Sequence, residues 1–170
     1  MKTILLFLIL AGRALAQSDP GIAIAPGGCG DSKEKLAVKL DKKQHPLAKP
    51  DDGKALVYFV QDDTQFNAID KPTVRAGIDG AWVGATHGNS YFYFSVDPGE
   101  HHLCSSWQGI GQERYVAATH FNAMVGEVYF FRVQDTWSSL MMTTDLKRVN
   151  RDEGQLLASR FPFSTSRAKK

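Results

Sequence analysis

The sequence predicts an all-β fold, a single antiparallel β-sandwich with one short C-terminal helix. Three observations predict it. Short apolar runs recur between residues 55 and 149 at the regular spacing of a sandwich, divided by turn residues. Two tight-turn signatures lie among them: Asp79-Gly80 supplies the positive-φ pair of a two-residue hairpin, and Asp97-Pro98-Gly99 sets a φ-locked proline before a glycine, as a type II turn requires. Residues 55–60, Ala-Leu-Val-Tyr-Phe-Val, are apolar on both alternating faces, which a central strand covered on two sides tolerates and an edge strand does not.

Taken in order, residues 1–16 combine Lys2, an apolar run and the small-x-small ending Ala14-Leu15-Ala16, the three parts of a secretory signal peptide. The mature chain is expected to begin at Gln17. Neither that run nor any later stretch reaches the roughly 18–20 apolar residues of a transmembrane helix, so no membrane span is expected. No cysteine follows the cleavage site to carry a bacterial lipid anchor; the expectation is a soluble exported protein, periplasmic or extracellular. Residues 17–35 form an extended arm that opens rich in Pro, Gly, Ala and Ser.

The sandwich domain is expected over residues 36–160. Residues 36–40 alternate as a half-exposed strand, and 41–53 carry connector chemistry before the central strand at 55–60. Residues 61–71 are polar and read as a loop or a short helical turn. Residues 74–78 and 81–84 make the hairpin around Asp79-Gly80. In 91–96, Phe92, Phe94 and Val96 share one face and Tyr91, Tyr93 and Ser95 the other. The phenylalanine face is the better core candidate, since a tyrosine can bury its ring while its hydroxyl reaches water or a partner. Strands at 101–107, 115–121, 127–133 and 140–149 complete the series, with Gly126 at a turn. Asn150 and Glu153 then have the spacing of a capping box, opening a helix that Gly154 keeps short. Residues 161–170 read as a flexible tail.

Charge and cysteine content narrow the function classes. Of the 20 lysines and arginines, Lys2 and Arg13 lie in the export signal, which leaves 18 basic residues against 18 acidic ones. Without a basic excess the mature surface lacks the broad attraction that nucleic-acid binding relies on. The Arg167-Ala168-Lys169-Lys170 terminus reads as a solvated end. The chain has two cysteines, and in an oxidising compartment they most simply pair. A Cys29–Cys104 bridge would tie the arm to the sheet, with a loop-closure value of roughly 4 kcal/mol.

Gly53-Lys54-Ala55-Leu56-Val57-Tyr58, the Gly77-Ile78-Asp79-Gly80-x-x-Val83-Gly84 hairpin, Tyr91-Phe92, Pro98-Gly99-Glu100-His101 and Gly126-Glu127-Val128-Tyr129-Phe130 together resemble a bacterial envelope family known only as domain of unknown function 2846. The middle section is also similar to short carbohydrate- or surface-associated β-modules named for a Pro-Glu-Gly-Ala motif, although the order here is Pro-Gly-Glu. The resemblance implies a small β-sandwich, transthyretin- or immunoglobulin-like in style, often exported, frequently lipid-anchored and without established enzymatic activity. The missing anchor cysteine departs from that pattern.

Catalytic chemistry finds no motif. His87, His101, His102 and His120 fall in the sandwich, but adjacent strand residues face opposite ways, so His101 and His102 cannot share one ion from a regular strand. No Gly-x-Ser-x-Gly elbow appears. Asp51-Asp52 and Asp62-Asp63 lie in turn-like stretches where acids are ordinary, and Gly109-Ile110-Gly111 precedes a strand-like segment, with no nucleotide-binding helix after it. The expected protein is therefore a non-enzymatic envelope interaction or accessory module with no cofactor and no metal. Its contacts come from loops 61–71, 86–90 and 105–113, or from an exposed sheet edge that pairs with a partner strand, and its partner is an envelope protein. The alternative is a carbohydrate- or peptidoglycan-binding module, and Trp82, His87, Tyr91 and Tyr93 are the candidate partner or glycan contacts. A hydrolase or metalloprotein would be favoured only by a cleft that gathers carboxylates or histidines.

Overall fold

A computed structural model describes residues 29–66, 70–109, 115–137 and 142–169. The expected signal peptide and most of the arm lie outside the described residues. Ten strands and one helix follow in the order β1 (Leu36–Asp41), β2 (Ala55–Gln61), β3 (Thr73–Ile78), β4 (Ala81–His87), β5 (Ser90–Val96), β6 (Gly99–Trp107), β7 (Val116–Ala123), β8 (Val128–Trp137), β9 (Met142–Val149), α1 (Arg151–Arg160) and β10 (Phe163–Ala168).

The strands form a six-stranded sheet, β1-β10-β5-β2-β8-β9, and a four-stranded sheet, β4-β3-β6-β7. Asp79 and Gly80 take φ of 49° and 86°, as the expected hairpin turn requires; Gly99 is also positive, but its 133° lies beyond the roughly +80° of the expected type II turn, and the chain there bends from one sheet to the other. The inward phases of the two sheets meet in the main core. Val57, Phe59, Phe92, Phe131 and Val133 of the larger sheet pack there with Val74, Ala76, Leu103, Trp107 and Phe121 of the smaller. Every residue of β2 is buried, as its two apolar faces require.

Three features differ from the sequence expectation. The larger sheet is mixed, because β2 pairs parallel to β8 and β10 parallel to β5. Between β2 and β8 the chain builds the whole smaller sheet and β5, and it re-enters beside β2 running the same way. The tyrosine face of β5 is not a solvent face either. Leu56, Tyr58, Val60, Tyr91 and Phe130 form a second core under α1. The Tyr58 hydroxyl there accepts from the Ala48 amide at 2.7 Å, and the Tyr91 hydroxyl donates to the Pro46 carbonyl at 3.2 Å. Finally, residues 163–168 are a strand where a flexible tail was expected. Phe163 packs on Tyr91 and Tyr93, Ser164 Oγ donates to the Ala85 carbonyl at 2.7 Å, and all of β1 pairs with this segment. Apolar and hydroxyl side chains with partners on both sides outweigh its polar composition.

Helix α1 starts where its cap predicts: Asn150 Oδ1 accepts from the Glu153 amide at 2.9 Å. Glu153 leans to Arg132 Nη1 at 2.6 Å and so anchors the helix to β8. Gly154 is a packing residue, since a Cβ there would lie 2.2 Å from Phe130 Cγ.

Candidate functional site

Strands β2, β4, β6 and β8 all finish at one end of the sandwich, where β3, β5, β7 and β9 begin. The described parts of the three loops expected to make contacts therefore belong to a single end; residues 67–69 and 110–113 of those loops lie outside the described residues. Beneath them the inward phase of the larger sheet changes from apolar to polar. Phe59 pairs with Phe131 and Gln61 with Val133; the next inward positions, two residues on, are Asp63 and Asp135. Both are fully buried.

Hydrogen bonds tie Asp63 to the β2–β3 and β4–β5 connections and Asp135 to β6. Gln61 Nε2 donates to Asp63 Oδ2 at 2.6 Å and to the Pro72 carbonyl at 3.1 Å. The Asp63 amide donates to Asn89 Oδ1 at 2.7 Å, in the turn between β4 and β5. Lys71 Nζ donates to the Asp63 carbonyl at 2.9 Å and also to that of Phe66. From the opposite sheet, Trp107 Nε1 donates to Asp135 Oδ1 at 2.8 Å. The Trp107 ring lies edge-on to Phe66 and against Tyr115, so aromatic side chains from three segments roof the polar cluster.

The electrostatics follow from burial. Desolvation, then the charge of Asp135, push the Asp63 carboxyl up to about 7 from 3.8, although the Gln61 amide pulls the other way. Burial raises Asp135 too, against the Thr144 hydroxyl and the Trp107 indole, which favour its ionised form. Thr144 lies opposite Asp135 on β9. Asp62, by contrast, turns toward Arg132, 3.9 Å away on the helix side.

Sequence reading missed this pair because it treated Asp62-Asp63 as turn chemistry. A signal was present at Asp135, an acid on the same strand phase as Phe131 and Val133, where an interior residue is expected.

The expected contact residues are scattered. His87 is exposed at the loop-bearing end, with Nδ1 3.1 Å from Thr73 Oγ1. Tyr91 is fully buried, so its ring offers no surface platform, and Tyr93 is half-buried against Tyr58 and Phe163. Trp82 lies on the outer face of the smaller sheet. Its indole donates to the Asp31 carbonyl at 2.8 Å, its ring covers the Arg75 guanidinium at 4.2 Å, and Gly30 lies against it because a Cβ there would sit 2.7 Å away. Cys29 and Cys104 form the expected disulfide, with Cα atoms 5.7 Å apart, and so fix this N-terminal segment on the sheet.

At the opposite end His101 bridges two turns: Nδ1 lies 2.6 Å from Asp79 Oδ2 and Nε2 2.7 Å from the Asp97 carbonyl. His102 faces His120 across the β6–β7 pair. Among the described residues no three His, Cys, Asp or Glu side chains are grouped to hold a metal, and no helix is long and apolar enough to cross a membrane. An open groove of about 700 Å³ between Ala48, Val128, Phe130, Val149 and the start of α1 lies away from the carboxylate pair.

Comparison with curated proteins and with solved structures finds no match. Residues 51–145, more than half of the chain, match the family described as Protein of unknown function (DUF2846), and both Asp63 and Asp135 fall inside that span. The chain belongs to that family.

Proposed function

We propose that this protein is an exported, non-catalytic module of the cell envelope that binds a protein partner through the loop-bearing end of its sandwich. The observation that carries this reading is that β2, β4, β6 and β8 finish, and β3, β5, β7 and β9 begin, at one end of the sandwich, over a buried polar cluster of Asp63, Asn89, Trp107 and Asp135. Loops on a rigid frame are where proteins place variable contacts, and a hydrogen-bonded base limits the ordering cost of binding. Export is supported by the signal-peptide pattern of residues 1–16, by the likeness of the middle section to surface β-modules, and by a disulfide that an oxidising compartment preserves. Glycan binding is less well supported, because Tyr91 is enclosed and Trp82 is half-covered by Gly30 and Arg75.

The test is site-specific photo-crosslinking in living cells. A crosslinker at the exposed positions Gln65 or His87 should yield a discrete protein adduct, and one at exposed Met124, in the turn before β8 at the far end, should not. Adducts from Met124 equal to those from Gln65 and His87, or none from the loop positions, would overturn the reading.

A further inference from the structure

We propose that Asp63 and Asp135 hold one proton between their carboxyl groups and act as a pH-sensitive latch on the loop-bearing end, closed while the proton is shared and loosened when it leaves. The proposal rests on the reading of that end as the contact face and supplies its regulation.

The geometry demands something between the two groups. Each carboxyl has one oxygen bonded to a neutral donor, Gln61 for Asp63 and Trp107 for Asp135. The other oxygens, Asp63 Oδ1 and Asp135 Oδ2, are buried without a hydrogen-bond partner, and each carboxyl acts on the ionisation of the other. Two bare acceptors in a buried site repel; one proton turns them into a short charge-assisted bond.

No cation is paired with either carboxyl among the described residues, and the charge of Lys71 lowers Asp63 only as the smallest of the causes acting on it. Lys71 is the nearest positive group on the β2–β3 connection, and its ammonium is engaged by the Asp63 and Phe66 carbonyls. Arg132 of β8 points to the other face, toward Glu153 of α1 and Asp62. From β9 comes the Thr144 hydroxyl, from β6 the Trp107 indole, and from the β4–β5 turn the Asn89 amide and the exposed His87, which contacts Thr73. Among the described residues there is no third carboxylate, histidine or cysteine to complete a metal shell.

The direction follows from the site's preference for the proton. An opened pair is solvated and ionises near 3.8, whereas the closed pair keeps its proton up to about 7. Opening is therefore rarest in acid and grows about tenfold per pH unit across that interval, then levels off. Because the Asp63 backbone also holds Asn89 and Lys71, the loosening spreads into two connections.

Amide hydrogen exchange on the mature chain, without any partner, tests this. At the Asp63 amide the opening constant, corrected for intrinsic exchange, should rise ten- to a hundredfold between pH 5 and 7.5, and Asp63→Asn or Asp135→Asn should flatten that rise. Carbon-13 titration of the unmodified protein should show one of the two carboxyls losing its proton near neutrality. The latch is overturned by a flat wild-type exchange profile, by an undiminished slope in both variants, by both carboxyls titrating below pH 5, or by millimolar calcium abolishing the slope. None of these readouts involves the crosslinked partner, so either reading can fail while the other stands.

Discussion

Trp107 donates its indole N–H to Asp135 across the sandwich, over 2.8 Å, so that the four-stranded and six-stranded sheets are joined by a buried polar bond at the end that carries the loops. Trp107 is 3% exposed and Asp135 fully enclosed, so water cannot replace the indole. Trp107→Phe keeps an aromatic ring beside Phe66 and Tyr115 but removes the donor. The expected loss is about 1–3 kcal/mol, the usual range when a buried acceptor loses its partner. Urea unfolding at pH 5 and at pH 8 should show the larger loss at pH 8, where more of Asp135 is ionised; an equal loss at both would assign the effect to ring size.

Gly154 faces the opposite balance of local and tertiary preference. In an exposed helix Gly→Ala gains roughly 1 kcal/mol. Here the added methyl would meet Phe130 Cγ, Cδ1 and Cβ at 2.2–2.5 Å. Because the α1–β8 contact is fixed by Glu153 and Arg132 at 2.6 Å, the helix cannot simply move away. Gly154→Ala should therefore destabilise by about 1–3 kcal/mol, as overpacked cores do. Thermal melts of the single variant and of Gly154→Ala with Phe130→Leu will show whether a smaller neighbour restores the loss.

The strand framework was legible because its signals are local. Alternation, Asp79-Gly80 and the Asn150 cap each determine conformation within a few residues, and each forms as expected. The parallel neighbours were not legible, since nothing in β2 or β8 states which strand will lie beside it after an intervening sheet. The C-terminal strand was hidden by composition: Ser164 and Ser166 look like tail residues until Ala85 supplies their partners. The carboxylate pair was hidden for a related reason. Asp63 and Asp135 are 72 positions apart, each two residues past the Gln61–Val133 pair that closes the β2–β8 register. Trp82, read as a surface contact, is occupied by Asp31 and Gly30 of the disulfide-tied segment and by Arg75 of the neighbouring strand β3.

His101 provides a pH response at the other end of the molecule. Its two nitrogens face acceptors, the Asp79 carboxylate and the Asp97 carbonyl, so both are satisfied only in the imidazolium. Desolvation disfavours that charge, but the Asp79 and Asp97 bonds outweigh it, and the imidazole is raised above its ordinary 6.5. Burial likewise raises Asp79, yet the His102 amide and His101 outweigh it, so Asp79 is held below its ordinary 3.8. His101 thus stabilises the fold fully below 6.5 and loses that contribution as pH rises through its elevated value. Asp79 contributes above 3.8 and loses its share as pH falls through its depressed one. The pair is at full strength between those two ordinary values. Asp79→Asn keeps an oxygen for the His102 amide and tolerates the φ of 49°, so the turn survives while the charge is gone. The His101 titration midpoint, followed by NMR, should fall back toward 6.5. The stability gap between wild type and variant in urea should be widest near pH 5.5 and shrink by pH 9. An unchanged midpoint, or a gap of equal size at both pH values, would assign the contribution of Asp79 to the turn backbone rather than to its charge.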